Sequence, residues 1–221
     1  NNDRILGLSL LLIIFLTITL GMIYSSELLA IDSISLTSTF VCSILACMGS
    51  DELKAFLTAL SGRDMKIRIA EFLQQEDCIA EAMDIAVGES GSEAFRAAWG
   101  ISAIYETNRL CFLRYKDKFV SDFCRVNHHG VRREYGRIML SMLKHKEYIP
   151  DRHSAEKLAE IVCSWSIDPK ITISEKVWTF SILKFLSRWI EWGEDMLQQL
   201  EALCETDMSP GMRALMRRLR K

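Results

Sequence analysis

From residue 50 to the C-terminus, apolar side chains recur every three to four residues, and strand-like alternation is nearly absent. Turn-forming residues interrupt this pattern near Ser61-Gly62, Gly88 to Gly91, Asn127 to Gly130, Tyr148 to Asp151, Asp168-Pro169 and Asp207 to Pro210. The spacing predicts helices over about 51–60, 63–73, 76–88, 92–106, 110–126, 130–145, 153–166, 173–190, 192–205 and 209–220. Such helices, joined by short loops, point to an all-α domain of stacked hairpins rather than to a four-helix bundle.

Several of these helices share a frame. MKIRIAEFL (Met65 to Leu73), FRAAWGISA (Phe95 to Ala103) and VRREYGRIM (Val131 to Met139) each begin with an apolar anchor followed at once by a base: Lys66, Arg96 or Arg132. Four positions after the anchor stands Ile69, Trp99 or Tyr135, and a small residue follows it, Ala70, Gly100 or Gly136. VWTFSILKF (Val177 to Phe185) keeps the apolar frame with Trp178 in place of the base, and MRALMRRLR (Met212 to Arg220) restores a base at Arg213. Successive anchors lie 30, 36, 46 and 35 residues apart, about two helices plus loops each time. A single hairpin cannot bury both its apolar faces, so units of this kind stack and share a core. The small residues at Gly100 and Gly136 suit close approach of helices, which offsets roughly 1 kcal/mol of lost helix propensity each.

This frame resembles HEAT and armadillo-type repeats, whose first helix often carries a Val-Arg-x-x-Ala pattern ahead of its apolar run. The resemblance covers about residues 50–221 in four or five divergent units, with uneven spacing as its departure from a regular array. It implies a right-handed α-α superhelix of about four to five helical hairpins; the apolar N-terminal helix expected ahead of it is read from composition instead. In such repeats the base after the anchor usually pairs with acidic residues or with loop carbonyls between units, a structural role open to Lys66, Arg96, Arg132 and Arg213.

Residues 1–49 have a different composition. Only Asp3, Arg4, Glu27 and Asp32 are charged there, and Ile5 to Ser26 is uncharged throughout. About 20 such residues span the hydrocarbon core of a bilayer, so a transmembrane helix over about 5–26 is one expectation. A long signal peptide, a lipoprotein-like box at Ile44-Leu45-Ala46-Cys47, and a true start at Met48 are the others. The single arginine ahead of the run places the domain outside the cytoplasm by the positive-inside rule. Cysteine usage points the other way. Cys78, Cys111, Cys124, Cys163 and Cys204 are scattered singly in apolar contexts, as free thiols of a reducing compartment. The expectation for residues 50–221 is cytoplasmic, with a membrane-anchored alternative.

No catalytic signature is present: no G-x-S-x-G elbow, no glycine-rich phosphate loop, and no strand to carry either. Adjacent His128 and His129 suit helix capping. Cys124 and His128 share a helical spacing, but a zinc site needs about four ligands, and no others stand at a recognisable distance. Acidic pairs such as Glu76-Asp77 and Glu194-Asp195 begin helices, where the dipole favours them. Neither an enzymatic activity nor a cofactor, metal or small-molecule ligand is expected.

One charge feature stands out. Arg109 to Lys146 carries ten bases against Asp117, Asp122 and Glu134, and the C-terminus adds Arg213, Arg217, Arg218, Arg220 and Lys221. This is either a solvated basic face or an anion-binding ridge. Trp178, Trp189 and Trp192 fall at helical spacings, as core or as a contact patch. The expected function is a non-catalytic helical-repeat scaffold that binds another macromolecule, most simply a protein, through its concave face. Arg96, Arg132, Arg133, Arg137, Trp178, Trp189 and Trp192 are its candidate contacts. Two alternatives follow: a DNA-binding protein similar to the HEAT-like alkylation repair glycosylases, and a membrane-tethered interaction domain. The glycosylase resemblance lacks the family's Trp-Asp motif, and the near-neutral charge of -2 disfavours nucleic acid.

Overall fold

The structure, a computed structural model, describes residues 50–204 and 209–219. The described residues all belong to one compact unit, Met48–Lys221. The expected apolar helix at 5–26 lies outside them. Among the described residues no helix is long and apolar enough to cross a membrane.

Those residues form 11 helices and no strand. They are α1 (Ser50–Ala59), α2 (Met65–Gln75), α3 (Ile79–Gly88), α4 (Ser92–Thr107), α5 (Arg109–Leu113), α6 (Lys116–Phe123), α7 (His129–Lys144), α8 (Arg152–Ser166), α9 (Ile173–Leu186), α10 (Gly193–Cys204) and α11 (Pro210–Leu219).

Local chemistry sets several of the boundaries. Thr172 and Glu175 form a reciprocal capping box at the start of α9. Asp151 accepts from the Ser154 amide at 2.7 Å to cap α8, and His128 Nδ1 accepts from the Gly130 amide at 3.1 Å to cap α7. Ser209 Oγ accepts from the Met212 amide at 3.2 Å, with Pro210 at the first helical position of α11.

Two sequence expectations differ from the fold. The continuous helix over 110–126 is two short helices, because the chain breaks at Arg114-Tyr115 and Asn108 caps the first piece through the Cys111 amide. At the break, the Tyr115 hydroxyl donates to Asp77 Oδ1 at 2.9 Å, tying it to the turn ahead of α3. The helix expected over 173–190 ends at Leu186. The turn into α10 is so tight there that a Cβ on Gly193 would lie 2.8 Å from Ser187 Cα. Ile190 continues the apolar period that suggested a longer helix, and it is buried from the turn.

Alternate helices pack in succession: α2 on α4, α4 on α7, α7 on α9, and α9 on α11. The remaining helices back this row, with α1 and α3 against α4, α3 against α6, and α8 and α10 against α9. All five frame anchors fall on the row, Met65 on α2, Phe95 on α4, Val131 on α7, Val177 on α9 and Met212 on α11. The core between the two sets holds Leu53, Leu57, Ile69, Ile101, Phe112, Phe119, Phe123, Tyr135 and Phe180, each fully buried. Full burial of such side chains contributes roughly 1.5–3 kcal/mol apiece.

Each junction in the row has a glycine at its contact. A Cβ on Gly100 would overlap Ile69 Cγ2, and one on Gly130 would lie 2.6 Å from Phe95 Cδ2. On Gly136 it would lie 2.9 Å from Trp178 Cβ, and on Gly211 it would lie 3.0 Å from Ile173 Cγ2. Removing the Cβ lets a side chain seat directly on the neighbouring backbone, closer than any two side chains could meet.

Candidate functional site

The frame bases are engaged within the fold. Lys66 on α2 pairs with Glu106 at the end of α4, at 2.7 Å. Arg96 on α4 donates to the Leu57 carbonyl and, at 2.8 Å, to that of Thr58, covering the bare C-terminal carbonyls of α1. Arg132 on α7 pairs with Asp168 in the α8–α9 loop at 2.8 Å and lies over the Trp165 ring at 5.5 Å. The Arg132 side chain is only 11% exposed and its Nε lacks a hydrogen-bond acceptor, so Arg96 and Arg132 are turned into the structure rather than offered from it. The Arg132 hydrogen bond, with one from the Lys170 amide, holds the Asp168 carboxyl below its usual range.

Arg133 is one residue on, about 100° around the helix, and faces the row. Its Nε and Nη2 both reach Glu134 Oε1 at 3.2 Å, and its guanidinium lies 5.4 Å over the Phe95 ring. One turn later, Arg137 pairs with Glu134 Oε2 at 3.0 Å, with Glu106 and with the buried Ser102 hydroxyl. Glu106 therefore bridges Lys66 and Arg137. Burial disfavours its charged form, but the two cations outweigh that and hold Glu106 below the usual carboxylate range.

Lys66, Trp99, Arg133, Glu134, Arg137 and Trp178 line one depression of about 260 Å³. Four consecutive members of the row, α2, α4, α7 and α9, supply it. Phe95 and Trp99 stack with centroids 5.3 Å apart along one side, and Trp178 stands opposite, seated on Gly136. A second depression of about 370 Å³ adjoins it at Arg137 and is lined by Tyr105, Glu106, Thr107, Arg109, Ile138 and Ser141. Within it Arg109 reaches Glu147 at 3.0 Å, the Tyr105 hydroxyl at 2.8 Å and Ser141 Oγ at 3.1 Å. Tyr105 in turn donates to Glu147 Oε2 at 2.8 Å. Burial, followed by that carboxylate, pushes the Tyr105 hydroxyl above its ordinary range.

The structure brings Arg133, Arg137 and Trp178 together. Trp189 and Trp192 lie outside both depressions, Trp189 exposed and edge-on to Phe185 at 5.4 Å, Trp192 half-buried against the core. Four bases of the basic stretch find carboxylates outside its own sequence window. Asp84, Glu106, Glu147 and Asp168 pair with Lys118, Arg137, Arg109 and Arg132 in turn. Sequence reasoning missed Trp99, Glu106 and Glu134 as members of the site. Trp99 sits at the frame position that Ile69 and Tyr135 bury completely, and its partial exposure is visible only once α4 is packed.

Both adjacent histidines begin α7. His128 caps it, and burial together with the neighbouring His129 lowers its pKa. His129 Nδ1 meets the buried Glu175 at 2.8 Å, joining the first turns of α7 and α9. Cys124 Sγ contacts the Val120 carbonyl in its own helix at 3.9 Å. Among the described residues no three His, Cys, Asp or Glu side chains converge as metal ligands.

Comparison with protein-family models, with curated proteins and with solved structures finds no match for this chain.

Proposed function

We propose that this chain is a HEAT-like helical-repeat scaffold that binds another protein through the face formed by α2, α4, α7 and α9. The observation that carries the reading is the depression lined by Lys66, Trp99, Arg133, Glu134, Arg137 and Trp178. Tryptophan and arginine are among the side chains most enriched at binding hot spots, and here they come from three different helices onto one surface, with Lys66 from a fourth. The repeat interpretation is supported by the recurrence of one sequence frame on α2, α4, α7, α9 and α11 and by their succession in packing. On this reading Arg96 and Arg132 are architectural, and the contact residues are Lys66, Trp99, Arg133, Arg137 and Trp178.

Site-specific photo-crosslinking tests it. Benzoyl-phenylalanine at position 107, exposed on the adjoining depression and not itself one of the contact residues, should trap a discrete protein in cells. The same probe at position 117, exposed on α6, should not. Equal yields of the same product at both positions would remove this face from the account.

A further inference from the structure

We infer that the two adjoining depressions form one groove for an acidic segment of a protein partner, in which Glu106 is a resident carboxylate that the partner's carboxylate displaces. The inference rests on the protein-binding reading above and specifies the chemistry of the partner.

The groove is layered by charge. Its carboxylates Glu134 and Glu147 have side chains only 8% and 13% exposed, whereas the arginines they hold, Arg109, Arg133 and Arg137, are 39%, 40% and 33% exposed. Buried carboxylates thus orient guanidinium groups whose outer edges face solvent. Donor accounting gives the same picture. A guanidinium has five N–H donors. Arg109 spends Nε and Nη2 on Glu147, Tyr105 and Ser141, and Arg133 spends Nε and Nη2 on Glu134. The Nη1 groups of both make no hydrogen bond among the described residues, so each arginine keeps preoriented N–H donors open to a carboxylate.

Glu106 marks what these groups accept. It is the exposed carboxylate of the groove, standing where the two depressions meet, and it takes Lys66 and Arg137 together. An incoming carboxylate that replaces it meets the same two cations, with the free edges of Arg109 and Arg133 on either side. Trp99 and Trp178 then supply an apolar platform beside the charge. The same layering argues against a polyphosphate backbone. Lys66, Arg109, Arg133 and Arg137 are met by Glu106, Glu134 and Glu147, which leaves a single excess positive charge. Nucleic-acid affinity grows with the number of phosphates neutralised.

The test is selection of random twelve-residue peptides displayed on phage against the whole chain. Enriched sequences are then remade with a fluorescein label and titrated by anisotropy. The expected peptides carry clustered Asp or Glu beside an aromatic or aliphatic residue. Glu106→Gln should tighten them by about fivefold, since it removes an exposed competing ion pair. Arg133→Ala and Arg109→Ala should each weaken them by about tenfold. Peptides that depend on Trp99 but lack acidic bias, or that ignore Glu106→Gln, would overturn the acidic-partner inference and leave the protein-binding face standing. Peptides indifferent to every groove substitution, or no enrichment at all, would overturn both. Labelled dT12 bound more tightly than any peptide would assign the groove to nucleic acid and overturn the inference.

Discussion

Gly136→Ala separates packing from helix propensity. In an exposed helix interior this change stabilises by roughly 1 kcal/mol, because glycine loses more backbone entropy on folding. Gly136 is buried mid-helix in α7, and a Cβ there would lie 2.9 Å from Trp178 Cβ and 3.6 Å from Trp178 Cγ. Carbon atoms rest at about 3.5–4.0 Å, so α7 and α9 must part by a fraction of an ångström or more. No rotamer change relieves this, because both Cβ positions are fixed by backbone. Overpacking of this kind costs about 1–3 kcal/mol, and the absence of side-chain relief puts Gly136 near the upper end. Subtracting the propensity gain leaves a net loss of about 1.5 kcal/mol, a fall in Tm of about 4 °C for a domain of this size. Urea titration followed by tryptophan fluorescence measures it, with Gly88→Ala as the control. Gly88 closes α3 with no atom within 4 Å of a built Cβ, so that substitution should stabilise by a few tenths of a kcal/mol. If both variants stabilise alike, α7 and α9 are not in backbone contact and the account of the row is wrong.

Three further outcomes follow from the same contacts. Tyr135→Phe should stabilise by about 1 kcal/mol in urea, since the fully buried Tyr135 hydroxyl has no hydrogen-bond partner and its removal ends a desolvation cost; a loss of that size would mean that the hydroxyl is satisfied in solution. Asp168 has its folded pKa depressed, chiefly by Arg132, so its stabilisation is complete above its unfolded pKa near 3.8 and disappears as pH falls through the lower folded value. Asp168→Asn should therefore flatten the stability profile below about pH 4, and an unchanged acid limb would dissociate the pair. Cys78, pushed up to about 12 by burial, should resist iodoacetamide at pH 8 in the folded chain and react on denaturation, as peptide mass spectrometry reads directly; prompt native labelling would contradict its burial.

The helices were legible because their apolar periods are long and clean. The roles of Gly100 and Gly136 were legible because small residues recur at one frame position. Gly130 was not, since its place after Asn127, His128 and His129 looks like a turn although it lies inside the first turn of α7. The site was only half visible. Arg132 and Arg133 are neighbours in sequence, yet a 100° step sends one under the α8–α9 loop and the other onto the groove. Charge counted in a window could not see Asp84, Glu106 and Asp168, which reach the basic stretch only through packing, and it stopped one residue short of Glu147. Trp99 and Trp178 are 79 positions apart in the chain, and only the succession of α4, α7 and α9 puts them on one depression.

The glycine at every joint of the row bears on how this sequence tolerates its own irregularity. A helix seated on a notch in its neighbour works like a key on a warded lock: sliding it one residue swings the notch about 100° away and presents a Cβ instead. Axial register is thereby set at four points of contact, and the connecting loops are relieved of that task. Intervals of 30, 36, 46 and 35 residues between anchors can then coexist in one stack. Loops of this chain should accept insertions readily, while the four notches should accept almost nothing.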